Sequence, residues 1–481
     1  MIPVSSLPSK YGIGGFGKSA FDFIDFLRAT GQRCWQVLPL NPTSYGDSPY
    51  QSPASSAGNP YFIDLDVLVK KKLLTKDEVA LQRNNSKIVN YGWLYSTRYD
   101  ILRVAHSRFK PDKEYQRFCK VNAGWLEKYA LFMSLKMKFN QASWTSWDEE
   151  YKNYSTAITR ASDFEPETSF WRWVQYEFSV QWSAVREYAH TRGISIIGDM
   201  PIYVAHDSVD VWSAPEQFLL DGELRPTVVA GCPPDGFSPD GQLWGNPIYD
   251  WDKMRADGFD WWCERVGSAF RLYDILRIDH FRGFAGFYQI PYGDSTAKNG
   301  KWVSAPGIEL FEQIKRRIPK HKIIAEDLGF ITDDVRELLT RTGFPGMKIL
   351  HFAFGEENSE YLPRTYKTEN CVVYTGSHDS ECTRTWCKNL TGRDKEIFDK
   401  ECPKVKGYSR TYDVISLAMS SIANLAIIPM QDYLTLESKD GRMNNPGIAE
   451  GNWGYRLSPR YNTHALRSKI LEVTAKHKRN V

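Results

Sequence analysis

Closely spaced cysteine pairs are missing from this sequence, although the chain contains eight cysteines among its 481 residues. No Cys-x-x-Cys occurs, which argues against zinc sites and redox motifs of that kind. Closely spaced histidines are missing too, and these are the ligands that a metal-dependent hydrolase would usually need. Because the cysteines show no pairing pattern, we expect a reducing environment and therefore a cytoplasmic protein.

Long apolar runs and a strong charge of one sign are also absent. No uninterrupted apolar segment reaches the roughly 18 residues that a membrane-spanning helix requires, and residues 1–4 do not resemble a signal peptide. The 61 basic and 58 acidic residues nearly balance, and no basic block stands out beyond residues 476–479. The sequence therefore predicts a soluble protein with neither a membrane nor a nucleic acid as partner.

A dinucleotide-binding loop is indicated only weakly. Residues 12–17 (GIGGFG) match G-x-G-x-x-G and lie between an apolar run and a helical pattern. However, residues 7–11 separate that run from the first glycine, where a tight turn is required. The next run ends at Asn41 without an acidic residue for a ribose, so we do not expect NAD binding.

What the chain does contain is a recurring pattern of short apolar runs that end in polar residues. The eight runs cover residues 2–5, 34–40, 194–202, 275–278, 322–328, 347–352, 371–377 and 425–430. The helical periods found between most of them cover residues 16–30, 171–190, 259–273, 309–318, 332–342 and 414–424. Eight strands alternating with helices predict an α/β protein, a closed (β/α)8 barrel.

Two connections are too long for simple loops between a strand and a helix. Residues 41–165 follow the second predicted strand, and residues 203–258 follow the third. Both leave from strand C-terminal ends, the face on which barrel enzymes hold their active sites. We therefore expect one catalytic barrel over residues 1–481, in which two insertions build the substrate cleft.

Charged residues crowd the end of the fourth run, in residues 275–282 (ILRIDHFR). Arg277 and Arg282 flank Asp279, and nearby positive charge favours an ionised carboxylate. Such a carboxylate on a rigid strand end suits a nucleophile or an electrostatic stabiliser. The alternative on this segment alone is a structural Arg–Asp pair that ties the strand to a helix.

Two further carboxylates are predicted at the same rim of the barrel. Glu326 ends the fifth run and Asp379 follows the seventh, so both can meet Asp279 where the strand ends converge. A pair of carboxylates is the minimum equipment for cleaving a glycosidic bond. The apolar residues before Glu326 should raise its pKa, although Asp327 and Lys322 complicate this expectation.

Two loop segments combine aromatic side chains with amides and carboxylates. These are residues 46–52 (GDSPYQS) and residues 241–247 (GQLWGNP). Sugars need that mixture, because rings cover their C–H faces while polar groups bind their hydroxyls. The alternative is a pair of tight turns in which the aromatics pack at the loop base.

Over essentially its whole length the sequence resembles the amylomaltases, which are 4-α-glucanotransferases or disproportionating enzymes of the α-amylase clan. The segments that carry the resemblance are SLPSKYGIGGFG, WQVLPLNPTSYGDSPYQS, GNPYFIDL, GDMPIYVAHDSVDVW, GCPPDGFSPDGQLWGNPIYDW, LRIDHFRGF, IIAEDLG, GSHDS, PMQD and RMNNPG. General α-amylases resemble it only at the strand ends. One departure is that family members usually carry several more residues before the segment matching residues 1–6.

The resemblance implies retaining transfer of α-1,4-glucan segments between maltodextrins, with a covalent glycosyl-enzyme on Asp279. It implies Glu326 as general acid/base and Asp379 as transition-state stabiliser. The substrate-binding residues that it implies are Arg277, His280, His378, Asp199, Tyr45 and Trp244. It implies malto-oligosaccharides and α-glucans as partners, and neither a metal nor an organic cofactor.

Other functions stay open on the residues alone. Spacing and composition would equally allow an α-glucan hydrolase of the same clan. A glucan-binding protein without catalysis is disfavoured, because it would have no need of three convergent acids. The sequence leaves the oligomeric state open.

Overall fold

The computed structural model describes residues 1–44, 46–234, 238–448 and 450–479, and its strands form two sheets. In chain order the strands are β1 Cys34–Gln36, β2 Ser195–Met200, β3 Val228–Cys232, β4 Gln242–Pro247, β5 Ile275–Ile278, β6 Gly286–Pro291, β7 Lys301–Ser304, β8 Ile323–Ala325, β9 Gly346–Ile349, β10 Cys371–Tyr374 and β11 Leu425–Ile427. The α-helices are α1 Lys18–Ala29, α2 Leu65–Lys70, α3 Lys76–Ala80, α4 Tyr91–Arg108, α5 Lys113–Lys138, α6 Glu149–Lys152, α7 Tyr154–Ala157, α8 Glu167–Thr191, α9 Val209–Trp212, α10 Trp251–Ala256, α11 Asp260–Leu272, α12 Gly307–Arg317, α13 Asp333–Thr342, α14 Thr383–Asn389, α15 Gly392–Glu401, α16 Arg410–Ser420, α17 Met430–Tyr433, α18 Ser438–Gly441 and α19 His464–Lys476.

The larger sheet is a nearly closed barrel of seven parallel strands in the order β1-β2-β5-β8-β9-β10-β11. Its interior is filled by apolar side chains such as Ile197, Ile324 and Val372. Helices α1, α8, α11, α12, α13 and α16 cover the outside and overlap the predicted helical periods. The predicted α/β barrel is therefore confirmed, with seven of the eight predicted runs forming its strands.

The first predicted strand, over residues 2–5, is wrong. Val4–Ser6 forms a 3-10 helix, because Pro3 has no N–H for a ladder and the chain turns after it. Met1 and Ile2 span the gap between β11 and β1 in the barrel wall. The Ile2 N–H donates to the Gln36 carbonyl at 3.1 Å, and the Met1 amine donates to the Ile428 carbonyl at 2.7 Å.

The smaller sheet is antiparallel and has the order β4-β3-β6-β7. Strands β3 and β4 belong to the connection over residues 203–258, whereas β6 and β7 belong to the connection that follows β5. The sequence patterns do not predict this sheet. The connection over residues 41–165 is mainly helical and contains α2 to α7, of which α5 packs against α8.

The glycines of residues 12–17 pack against neighbouring chain segments. A Cβ on Gly14 would lie 2.0 Å from the Val4 carbonyl oxygen, and one on Gly17 would meet the Asp64 carboxylate. These glycines therefore allow close packing of the loop on residues 4–7 and 62–64.

No helix in the described part of the chain has the length and apolar character needed to cross a bilayer.

Candidate active site

The predicted site residues lie where the barrel strands end. Asp279 and His280 follow β5, Glu326 follows β8, and His378 and Asp379 come shortly after β10. His280 has a positive φ of 52°, which turns the chain sharply at the end of β5. The Asp279 N–H donates to the Met200 carbonyl at 2.9 Å, which holds the end of β5 beside that of β2.

Arg277 links two carboxylates at the centre of this rim. Its Nη1 lies 2.7 Å from both carboxylate oxygens of Asp199 and 3.0 Å from Oδ1 of Asp279. Burial raises the pKa of Asp199, and the guanidinium of Arg277 counteracts this shift. Arg277 and Asp199 are nearly inaccessible, whereas 29% of the Asp279 side chain is exposed.

The sequence places a second arginine, Arg282, beside Asp279, but the structure gives it other partners. Its Nη1 donates to the Phe330 carbonyl at 3.0 Å. Its guanidinium carbon lies 3.7 Å from the centre of the Trp302 ring. The positive charge that contacts Asp279 is therefore that of Arg277.

Glu326 is buried at the end of β8 and accepts two backbone hydrogen bonds. Its Oε2 accepts from the His280 N–H at 2.6 Å, and its Oε1 accepts from the Leu328 N–H at 2.9 Å. Burial, and then the negative charge of Asp279, raise the pKa of Glu326 to about 8. The shift has the direction that the apolar residues before it predict, and it favours a protonated Glu326 at neutral pH.

The neighbouring Asp327 serves a different purpose from Glu326. Its Oδ1 accepts a hydrogen bond from the Met347 N–H at 2.6 Å, which ties the end of β8 to β9. Burial raises the pKa of Asp327 to about 6. Of these two adjacent acids, Glu326 therefore lies at the rim, whereas Asp327 holds β8 to β9.

Asp379 lies on the open part of the rim, with 45% of its side chain exposed. Its Oδ1 accepts a hydrogen bond from the Asn444 side-chain amide at 2.6 Å, and the Asn444 N–H donates to the His378 carbonyl at 3.2 Å. The Nε2 of His378 lies 3.4 Å from Oδ2 of Asp379. Asn444 therefore fixes both the backbone and the side chain of this segment.

Trp244 and His280 lie in contact beside the acids. Trp244 on β4 packs edge to face on His280 with ring centres 4.8 Å apart. Burial, and then the charge of Arg282, lower the pKa of His280 to about 3, so its ring stays neutral. Within the described residues, the buried Nε2 of His280 has no hydrogen-bond partner, which leaves it for a ligand. The predicted groove residue Tyr45 lies outside the described residues.

Sequence reasoning missed Tyr50 as a site residue. Its O–H donates to Oδ2 of Asp199 at 2.9 Å, and its ring stacks on His378 at 5.1 Å between centres. Trp453 packs against the same tyrosine at 5.6 Å. Tyr50 therefore joins the β2 and β10 ends of the rim. Its only signal in the sequence was its place in the aromatic and amide-rich residues 46–52.

The site combines a buried acid whose raised pKa favours its protonated form, a partly exposed carboxylate beside a guanidinium, and aromatic rings. That set can protonate a leaving oxygen, attack an electrophilic carbon and hold a sugar ring. Among the described residues, no group of three histidine, cysteine, aspartate or glutamate side chains is arranged to hold a metal ion.

Comparison with known proteins gives consistent matches along the whole chain. A family model described as 4-alpha-glucanotransferase matches residues 2–462. A 4-alpha-glucanotransferase of Clostridium butyricum is 47% identical over 483 aligned positions, which cover 98% of each chain. One from Thermus thermophilus is 43% identical and covers 95% of this chain and 93% of its own.

The solved structures include an equally extensive match. The amylomaltase from Streptococcus agalactiae in complex with acarbose is 38% identical, with a TM-score of 0.96. The match covers 100% of this chain and 99% of that protein. Both long connections are therefore shared, together with the barrel.

Proposed function

This chain belongs to the 4-alpha-glucanotransferase family, and we propose that it transfers α-1,4-glucan segments through a covalent glycosyl intermediate on Asp279. The observation that carries the proposal is the contrast between two neighbouring carboxyl groups. Glu326 is buried and has a raised pKa, whereas Asp279 is partly exposed and contacts Arg277. The first suits a proton donor and the second suits a nucleophile.

In the first step, Glu326 gives its proton to the glycosidic oxygen of the donor. A carboxylate oxygen of Asp279 attacks the anomeric carbon, so that a new C–O bond forms while the glycosidic C–O bond breaks. The leaving sugar departs with a free 4-hydroxyl, and Glu326 becomes a carboxylate. The N–H groups of His280 and Leu328 then hold the negative charge on Glu326.

In the second step, Glu326 removes the proton from the 4-hydroxyl of an acceptor. That oxygen attacks the anomeric carbon, and the bond to Asp279 breaks. Two inversions restore the original α-configuration. We assign Asp379 to the stabilisation of positive charge on the sugar ring, since it contributes an exposed carboxylate to the same rim.

We propose that malto-oligosaccharides bind across this rim between the two long connections. Tyr50 from residues 41–165 and Trp244 from residues 203–258 both reach the barrel end, which supports a cleft walled by these insertions. The unpartnered Nε2 of His280 is placed to bind a sugar hydroxyl. The related amylomaltase from Streptococcus agalactiae was solved in complex with acarbose.

The dispersed cysteines support a cytoplasmic location.

Trapping of the intermediate tests the proposal. The Glu326→Gln variant, incubated with α-maltosyl fluoride and no added acceptor, should gain the mass of one maltosyl group, because fluoride leaves without strong acid assistance. The Asp279→Asn variant should gain no mass. Asp327→Asn, which changes the neighbouring carboxyl but not the proposed machinery, should turn over the donor without accumulating an adduct. Labelling that persists in Asp279→Asn would refute the assignment of the nucleophile.

Product analysis from maltotriose alone separates transfer from hydrolysis. Glucose together with a ladder of longer oligomers is the expected result. Glucose and maltose without longer species would instead identify a hydrolase of the same clan. An unchanged substrate would identify a binding protein.

A further inference from the structure

Two exposed aromatic side chains lie in the connections that follow β5 and β8 and take no part in the mechanism above. Trp302 on β7 is 40% exposed, and Phe330, between β8 and α13, is 70% exposed. Scattered apolar residues are common on protein surfaces. These two, however, are joined by a shared partner.

That partner is Arg282, which is only 4% exposed. Its guanidinium covers one face of the Trp302 ring at 3.7 Å from the ring centre, and the same group donates to the Phe330 carbonyl. Tyr288 packs its ring against Trp302 with centres 5.2 Å apart. The indole is thus held in a fixed orientation while part of its surface stays open to solvent.

A fixed and accessible ring is what a sugar needs for stacking, because little side-chain entropy is then lost on binding. Arg282 also lies two residues after His280, and Phe330 lies four residues after Glu326. Arg282 therefore links Trp302 and Phe330 to the segments that carry His280 and Glu326. Phe330 belongs to the loop that carries the proposed acid/base, whereas Trp302 lies on β7 in the connection that follows β5.

The position of Glu326 indicates which part of the substrate meets these rings. A general acid must face the glycosidic oxygen, so the loop that carries Glu326 borders the leaving sugar and, in the second step, the acceptor. We propose that Trp302 and Phe330 form a binding surface for the acceptor chain of an α-1,4-glucan, beyond the sugar that reacts. This inference rests on the proposed function.

Acceptor kinetics with a fixed donor test the inference. With α-maltosyl fluoride as donor, initial rates of transfer to glucose and to maltotetraose are measured by chromatography. Trp302→Ala and Phe330→Ala should each raise the KM for maltotetraose by about tenfold and leave the KM for glucose unchanged. Glucose fills only the reacting position, whereas maltotetraose extends to the rings.

Matched variants control for indirect effects. Trp302→Phe keeps an aromatic face and should retain most of the affinity for maltotetraose. Leu471→Ala removes an apolar side chain of equal exposure from α19 and should change neither KM. Thermal melts of each variant report folding, and Phe330→Ala tests the surface without removing the ring that Arg282 covers.

Three results would overturn the inference. They are an unchanged KM for maltotetraose in both variants, an equal rise in KM for both acceptors, and a fall in kcat without any change in either KM. A wild-type protein that transfers to neither acceptor would instead refute the proposed function, whatever the variants do.

Discussion

The two halves of the catalytic rim are built in different ways. At the ends of β5 and β8, backbone N–H groups of the rim itself hold the buried Glu326. At the end of β10, the half-exposed Asp379 is held by Asn444, which lies 65 residues later in the chain. The first half uses burial to set a protonation state, and the second uses a distant loop to set an orientation.

Asp279→Asn should have the largest effect on activity, because it removes the proposed nucleophile from the first half of the rim. The amide is nearly isosteric with the carboxylate but cannot attack the anomeric carbon, so we expect turnover of maltotriose to fall on the order of 10⁴-fold or more. Circular dichroism should show an intact fold. Activity near that of the wild type in a folded variant would remove Asp279 from its role.

Glu326→Gln should have the next largest effect, and the effect should depend on the leaving group. Loss of general acid catalysis is expected to slow transfer from maltotriose by about 10²–10⁴-fold. α-Maltosyl fluoride needs far less protonation, so the variant should retain much more activity on that donor. Equal losses on both donors would indicate a structural role for Glu326.

The raised pKa of Glu326 also predicts how stability depends on pH. Its pKa in the fold is about 8 against an ordinary 4.5, so folding favours the protonated form. The resulting stabilisation is complete below about pH 4.5 and is lost as the pH rises through 8. Between pH 5 and pH 9, the melting temperature should therefore fall by more in the wild type than in Glu326→Gln. Parallel curves for the two proteins would contradict the burial effect.

Asn444→Ala tests the exposed half, where a smaller effect is expected. Loss of one hydrogen bond to a half-exposed carboxylate should lower kcat on maltotriose by about tenfold. Asn445→Ala, in the same loop, is the control, because the structure places the side chain of Asn444 and not that of Asn445 on Asp379. Full activity in Asn444→Ala would mean that Asp379 is oriented without this loop.

Chelation of metal ions should have the smallest effect on activity among these tests. The proposed steps need only carboxyl groups and backbone N–H donors, so exhaustive dialysis against EDTA should leave the rate of maltotriose turnover unchanged. Loss of activity that a divalent ion restores would show that the mechanism is incomplete.

The sequence predicted the buried half of the rim better than the exposed half. Asp279 and Glu326 follow apolar runs directly, so strand periodicity alone locates them, and the apolar run also predicts the direction of the Glu326 pKa shift. The contacts of Tyr50 and Asn444 depend instead on how distant loops fold back onto the barrel. No local pattern encodes such contacts.

Similar reasons explain the other differences. The patterns placed Arg282 beside Asp279 from spacing alone, but the direction of its side chain depends on Trp302, which is brought close by the pairing of β6 with β7. The apolar residues 2–5 resembled a strand, and Pro3 prevented one. Three of the seven runs that became strands also contain a proline, but Pro39, Pro201 and Pro429 each lie beyond the end of the strand.

The smaller sheet has a consequence for exchanging parts between related proteins. Its two hairpins, β3–β4 and β6–β7, come from separate connections and are joined by the pairing of β3 with β6. A chimera that replaced only one connection would pair β3 and β6 from two different proteins. The register of their hydrogen bonds and side chains would then no longer be matched. The two connections should therefore be inherited, or grafted, as a single unit, although β5 separates them in the chain.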